Sequence, residues 1–134
     1  MSGETNIQTL LHNLKPRLHK SNFVFTHIPK TQSFDWSTIE ILGMFQEDEG
    51  TTLIISKNMA DTYNLPYEST FSCITLEVHS SLHAVGLTAA VSKALAQKNI
   101  PANMIAAYHH DHIFIPEDRE RDALEVLKKL SNKF

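Results

Sequence analysis

Between Phe71 and Leu130 the spacing of apolar residues changes period in an order that few folds accommodate. Ile74, Leu76 and Val78 alternate with Cys73, Thr75 and Glu77, which is the period of a strand. Leu87, Val91, Ala94 and Leu95 then recur at intervals of three and four, which is the period of a helix. After Pro101, Met104, Ala106 and Tyr108 alternate again. A polar turn, His109-His110-Asp111-His112, leads into the short apolar run Ile113–Ile115. Ala123, Val126, Leu127 and Leu130 form the cleanest helical stripe of the chain. Glu117, Asp118 and Glu120 fall in its first turn and Lys128, Lys129 and Lys133 in its last, as the helix macrodipole favours. The order strand, helix, hairpin, helix predicts an α+β fold: a two-layer sandwich of an antiparallel sheet with its helices on one face.

Upstream, residues 2–15 read as a short amphipathic helix with Ile7, Leu10, Leu11 and Leu14 on one face, a Thr5/Gln8 capping box, and Pro16 as its stop. So short a helix is marginal in water and must dock, either on the sheet of its own chain or on a partner. Residues 22–28 read as a strand that is apolar on both faces, followed by a polar loop anchored by Phe34 and Trp36. Residues 39–45 and 51–56 read as a hairpin around Glu47-Asp48-Glu49-Gly50, where Gly50 supplies a positive φ. Ser56 is placed to cap a helix over 57–64 that ends at Leu65-Pro66. Residues 22–65 therefore repeat the element order of 71–131, with the first crossover helix reduced to a loop: a degenerate tandem repeat. The second half has no strand after Leu130 to close its sheet. Unpaired edges aggregate, so Phe23–Ile28 or a strand from a second subunit is expected there, which points to intertwined halves or a homo-oligomer.

Hydrophobic residues make up 42% of the 134, enough for a real core, and the formal net charge of -3 brings no basic stripe for nucleic acid. No run approaches membrane-spanning length, and no apolar signal core is read near Met1. The single cysteine, Cys73, cannot form an internal disulfide and suits a reducing compartment. A cytoplasmic protein with no nucleic-acid or membrane partner is expected.

The stretch from Phe71 onward resembles an ACT domain, the ferredoxin-like regulatory module of amino-acid metabolism. Three features carry the likeness. A strand runs through Val78-His79 into a loop reaching Gly86-Leu87 at a helix start. The helix closes with Ala94-Leu95-Ala96-Gln97-Lys98-Asn99-Ile100, like the family's Leu-Ala-x-x-x-Ile segment, and a strand follows. The last helix begins after Ile115-Pro116-Glu117-Asp118 and carries Ala123 and Leu127. The whole chain is similar to small standalone proteins with two ACT-like halves. Read this way it divides into an N-terminal amphipathic helix (1–20), a degenerate ACT-like half (21–68) and a C-terminal ACT-like domain (69–134).

The resemblance implies a small effector, an amino acid, bound where two units meet. Carried over residue by residue, the site takes His79, Ser80, Ser81, Leu82, His83, Ala84, Val85, Gly86 and Leu87 from the loop, and Asn103, Met104 and Ile105 from the facing strand. A helix N-terminus suits a carboxylate, Gly86 admits close approach to the backbone, and Ser80, Ser81 and Asn103 add donors and acceptors. Equally, Gly86 serves close packing of helix on sheet. The family often carries an acid and a Pro-Gly step in this loop; here Ser80, Ser81 and Val85-Gly86 stand in their place, so an ammonium needs another acid, for which Glu77 is the candidate.

Five of the eight histidines lie between His79 and His112. His109 and His110 face opposite sides of an extended chain, and His110 and His112 are expected at a wet hairpin tip, so no metal site is expected among them. The Glu47–Glu49 carboxylates are expected to be solvated. Cys73 with a nearby histidine is a conceivable thiolate pair, but its strand position predicts an ordinary half-buried cysteine. No phosphate-cradling glycine motif, nucleophile elbow or zincin helix is present, so catalytic residues, cofactor and metal are all expected to be absent. The expected function is a non-catalytic regulatory module that binds a small molecule and acts through a partner enzyme or regulator. The alternatives are an interaction domain with a vestigial groove and a His-dependent metalloenzyme.

Overall fold

The structure, a computed structural model, describes Gly3 and residues 5–132. Ser2 and Glu4 of the expected N-terminal helix, and Lys133 of the expected last turn, lie outside the described residues. The chain forms two compact units, one of residues 1–20 with 72–134 and one of residues 21–71. Among the described residues no helix is long and apolar enough to cross a membrane.

The first unit contains α1 (Ile7–His12), the beginning of β1 (Pro16–Pro29), β4 (Phe71–Leu76), α3 (Leu87–Ala96), β5 (Asn103–Ala106), β6 (Asp111–Pro116) and α4 (Glu120–Asn132). Its strand order is β1-β4-β6-β5. β5 and β6 form the expected antiparallel hairpin, with Met104 opposite Ile113 and Ile105 opposite His112. Leu87, Val91 and Leu95 of α3 and Ala123 and Leu127 of α4 pack with Ile74, Leu76, Ile113 and Ile115 in one core, so the helices share one face of the sheet. Alternation then sends Cys73, Thr75, His112 and Phe114 to the other face. Leu18 also packs against the helical side, so its neighbours Arg17 and His19 join them.

Three expectations change here. The strand that closes this unit is the segment from Pro16 to Lys20, ahead of the expected start at Asn22 and part of a single fourteen-residue β1. Pro16 does end a helical segment, with Lys15 turning the chain at φ 47°, but it also opens the strand, where a missing N–H is tolerated. The N-terminal helix is shorter than 2–15 and starts from Asn6, whose side chain accepts from the Thr9 N–H; the Thr5/Gln8 box is not its cap. The polar turn is shifted toward the N-terminus as well. Ala107 N–H donates to the His110 carbonyl, and Asp111 and His112 already belong to β6.

The second unit is built on the remainder of β1 with β2 (Gly43–Gln46), β3 (Gly50–Ser56) and α2 (Lys57–Thr62), in the order β2-β3-β1. The hairpin closes through reciprocal backbone bonds between Glu47 and Gly50. Gly50 has φ 153°, and a Cβ there would lie 2.3 Å from the Ile28 carbonyl oxygen. Ser56 caps α2 by accepting from the Met59 N–H at 3.1 Å. A short 3-10 turn, Trp36–Thr38, replaces the crossover helix, and Trp36 packs edge-on to Phe34 at 5.0 Å. Val24, Ile28, Ile39, Leu53, Ile55, Ala60 and Leu65 form this unit's own core.

Candidate functional site

β4 ends at Leu76, and the chain takes ten residues to reach α3. His79, Ser80, Ser81, Leu82 and His83 from this loop line a cavity of about 370 Å³ together with Tyr108 and Gly3. The loop is braced internally: Ser81 accepts the His83 N–H on its hydroxyl at 3.0 Å and the Ala84 N–H on its carbonyl at 3.0 Å. The β5–β6 turn leans on it. His109 lies 5.8 Å from the His79 ring and 4.9 Å from the Tyr108 ring. Gly3 passes so close that a Cβ would fall 2.6 Å from the Ser80 carbonyl carbon, which leaves room for no other residue.

The remaining loop residues are placed differently. Val85 is 84% exposed and Ala84 packs toward the core, so neither lines the cavity. Gly86 is the N-cap of α3 at φ 104°, a left-handed conformation suited to glycine. The side on which a Cβ would project faces Ile7 Cδ1 at 3.5 Å. Leu87 is buried in the core. Asn103 donates its side-chain N–H to the Phe114 carbonyl, Met104 packs against the core, and Ile105 is 37% exposed on an edge strand of the unit. None of these three β5 residues lines the loop cavity.

The acid behind the loop is Asp111, which sequence reasoning passed over. It is buried, Ser80 Oγ approaches its Oδ2 at 3.5 Å, and burial raises its carboxyl above the ordinary value against the lowering effect of the Ser80 hydroxyl. Glu77, the acid expected there, is turned instead to Arg17 at 3.4 Å. Tyr108 and Gly3 were missed too. The alternation of Met104, Ala106 and Tyr108 marks a strand, not a cavity wall, and no local signal brings Gly3 to residue 80.

On the opposite face of the sheet, Thr75 lies between two imidazoles. His19 Nε2 is 2.7 Å and His112 Nδ1 2.8 Å from its hydroxyl oxygen. His112 is therefore half-buried within β6, not exposed at a hairpin tip as expected. Burial is the leading cause that lowers both imidazoles below the ordinary value; for His19 the Arg17 charge adds to it, and for His112 the neighbouring His110. Cys73 is completely buried rather than half-buried, and desolvation pushes its thiol up to about 11.

Two ACT domain family models match the chain in tandem, one over residues 2–72 and the other over residues 68–129. The chain belongs to the ACT domain family. Its fold is shared with a protein of unknown function from Vibrio cholerae, described as a possible transport protein, at 39% identity and a TM-score of 0.82, over 92% of this chain and 94% of that one. The regulatory subunit of aspartate kinase from Thermus flavus is similar in fold at 11% identity and a TM-score of 0.62, covering 86% of this ACT protein and 95% of the subunit. The ligand-free form of the corresponding subunit from Thermus thermophilus gives 10% identity and a TM-score of 0.63, over 88% and 97%. No curated protein matches this ACT protein in sequence.

Proposed function

We propose that this tandem ACT protein is a non-catalytic regulatory module that binds a free amino acid in the cavity under the His79–His83 loop. The observation that carries the reading is a space of about 370 Å³ with serine hydroxyls on its wall and a buried acid, Asp111, held behind Ser80 and outside the lining itself. The volume is at the lower end of small-molecule sites, which suits a ligand of amino-acid size. Ser81 and the two loop histidines offer hydrogen bonds to a carboxylate, while Ser80, whose one proton goes to Asp111, presents an oxygen to an ammonium with the Asp111 charge behind it. Leu82 and Tyr108 give the ligand side chain an apolar wall. The ACT architecture and the regulatory subunits of similar fold support a regulatory role, with output passed to a partner enzyme.

Asn103, Met104 and Ile105 enter this reading from a second copy. β5 is an edge strand of its unit, and an edge of that kind pairs readily with another chain. In a homo-oligomer the strand of one protomer would then stand near the loop of its neighbour.

A thermal-shift panel of the free amino acids tests the reading. At about 100 times its Kd a ligand specific for the folded state contributes about 2.7 kcal/mol, which for a chain of this length raises Tm by on the order of 5–10 °C. The account expects at least one amino acid to do so, and expects the shift to vanish in Asp111→Asn. A panel without shifts, or an equal shift in Asp111→Asn, contradicts it.

A further inference from the structure

We propose that His19, Cys73 and His112 form a binding site for a borderline-soft cation, zinc(II) by chemistry, on the sheet face opposite the helices. The three residues each present one ligand atom, and those atoms all lie within 4.8 Å of one another. They come from three adjacent strands of the first unit and are far apart in sequence, so no spacing motif announces them.

The sheet itself builds the triangle. Thr75, at the centre, touches an imidazole from the strand on either side, and Cys73 stands two residues before it on the same face. Two imidazole nitrogens and one sulfur are the donor set that zinc prefers over magnesium or calcium, which favour oxygen. Zinc–nitrogen bonds of ~2.0 Å and zinc–sulfur bonds of ~2.3 Å require the donors to close in by roughly 1 Å, a movement within the reach of side-chain rotation. Three protein ligands leave a fourth tetrahedral position, which water or the Thr75 hydroxyl fills.

One hydroxyl proton serves one ring nitrogen only, so at least one imidazole now carries its proton on the nitrogen that faces Thr75. On metal binding that proton moves to the other ring nitrogen, the cysteine sulfur gives its proton to the buffer, and the thiolate takes the metal. No electron changes hands.

The test is a cobalt(II) titration of the full, reduced chain followed by displacement with zinc(II). The site predicts one cobalt per chain and a thiolate-to-cobalt charge-transfer band, which zinc abolishes and excess magnesium leaves untouched. The band disappears in Cys73→Ser, and affinity falls by about tenfold or more in His112→Gln. A His83→Ala/His109→Ala double variant keeps both. Should Cys73→Ser fail to fold, the wild-type band and zinc protection of Cys73 from alkylation in mild urea report the same ligation. A cobalt complex without a sulfur band, binding that survives Cys73→Ser, or binding lost with His83 and His109 overturns the proposal.

Discussion

At the scale of single residues, the polar groups of the first unit are arranged by strand alternation, and their environments follow from it. His19 and His112 meet over Thr75 and are held toward the neutral imidazole mainly by burial. The unfolded chain therefore binds protons more readily than the folded one near the ordinary imidazole value of 6.5. Stability is full above that value and declines as the pH falls below it. Urea midpoints at pH 7.5 and 5.5 should fall on acidification, with a smaller fall in His112→Gln; equal falls contradict the assignment. Much of this chemistry was hidden in the sequence. That Cys73 lies on a strand is legible from its neighbours, but its convergence with His19 depends on a strand pairing across more than fifty residues, and local periodicity carries no such information. Asp111 was hidden for a similar reason: inside His109-His110-Asp111-His112 it reads as a turn residue, and only the register of β6 buries it behind Ser80.

At the scale of elements, periodicity was a good guide wherever a face is strongly apolar. α3 and α4 lie where the spacing of Leu87–Leu95 and Ala123–Leu130 predicts them, and β5 and β6 contain the Met104 and Ile113 runs, although the turn between them falls earlier than expected. The opening of β1 was not legible, because Pro16–Lys20 contains one buried-face apolar residue, Leu18, among charged neighbours. Its status as a strand comes from pairing in the sheet, seen where the Glu77 N–H donates to the Lys15 carbonyl at 3.3 Å and Arg17 meets Glu77. α1 takes the first of its two expected options and docks on its own chain. Leu10 of the helix and Leu14 just beyond it are fully buried in the core that α3 and α4 share, and Ser131 donates to the His12 carbonyl. A helix of six residues has no stability of its own, so it is held by this packing. Leu10→Ala, on the helix itself, should cost about 2–5 kcal/mol in chemical denaturation. A loss below about 1 kcal/mol means that the helix is not part of the core.

At the scale of the whole molecule, the strand missing after Leu130 is supplied by the chain's own Pro16–Lys20, so the open edge expected there gives no reason to invoke a second subunit. The reason for a homo-oligomer now rests on β5, where Ile105 remains exposed, and on Tyr108, exposed in the turn that follows it. Sedimentation should show a dimer, and Ile105→Lys should convert it to a monomer that has lost effector affinity; a wild-type monomer that binds the effector removes the second copy from the site. The tandem ACT organisation was legible from the order of elements, and the 79–83 wall of the cavity from the resemblance, whereas Gly3 and Tyr108 were not, since they meet that loop only in the folded chain. The central claim is that an amino acid occupies that cavity. Backbone NMR of the labelled protein, titrated with the amino acid that raises Tm most, tests it most directly. The account predicts saturable shifts centred on His79–His83, Tyr108 and Asp111. Shifts confined to other parts of the chain, or none at saturating ligand, contradict it.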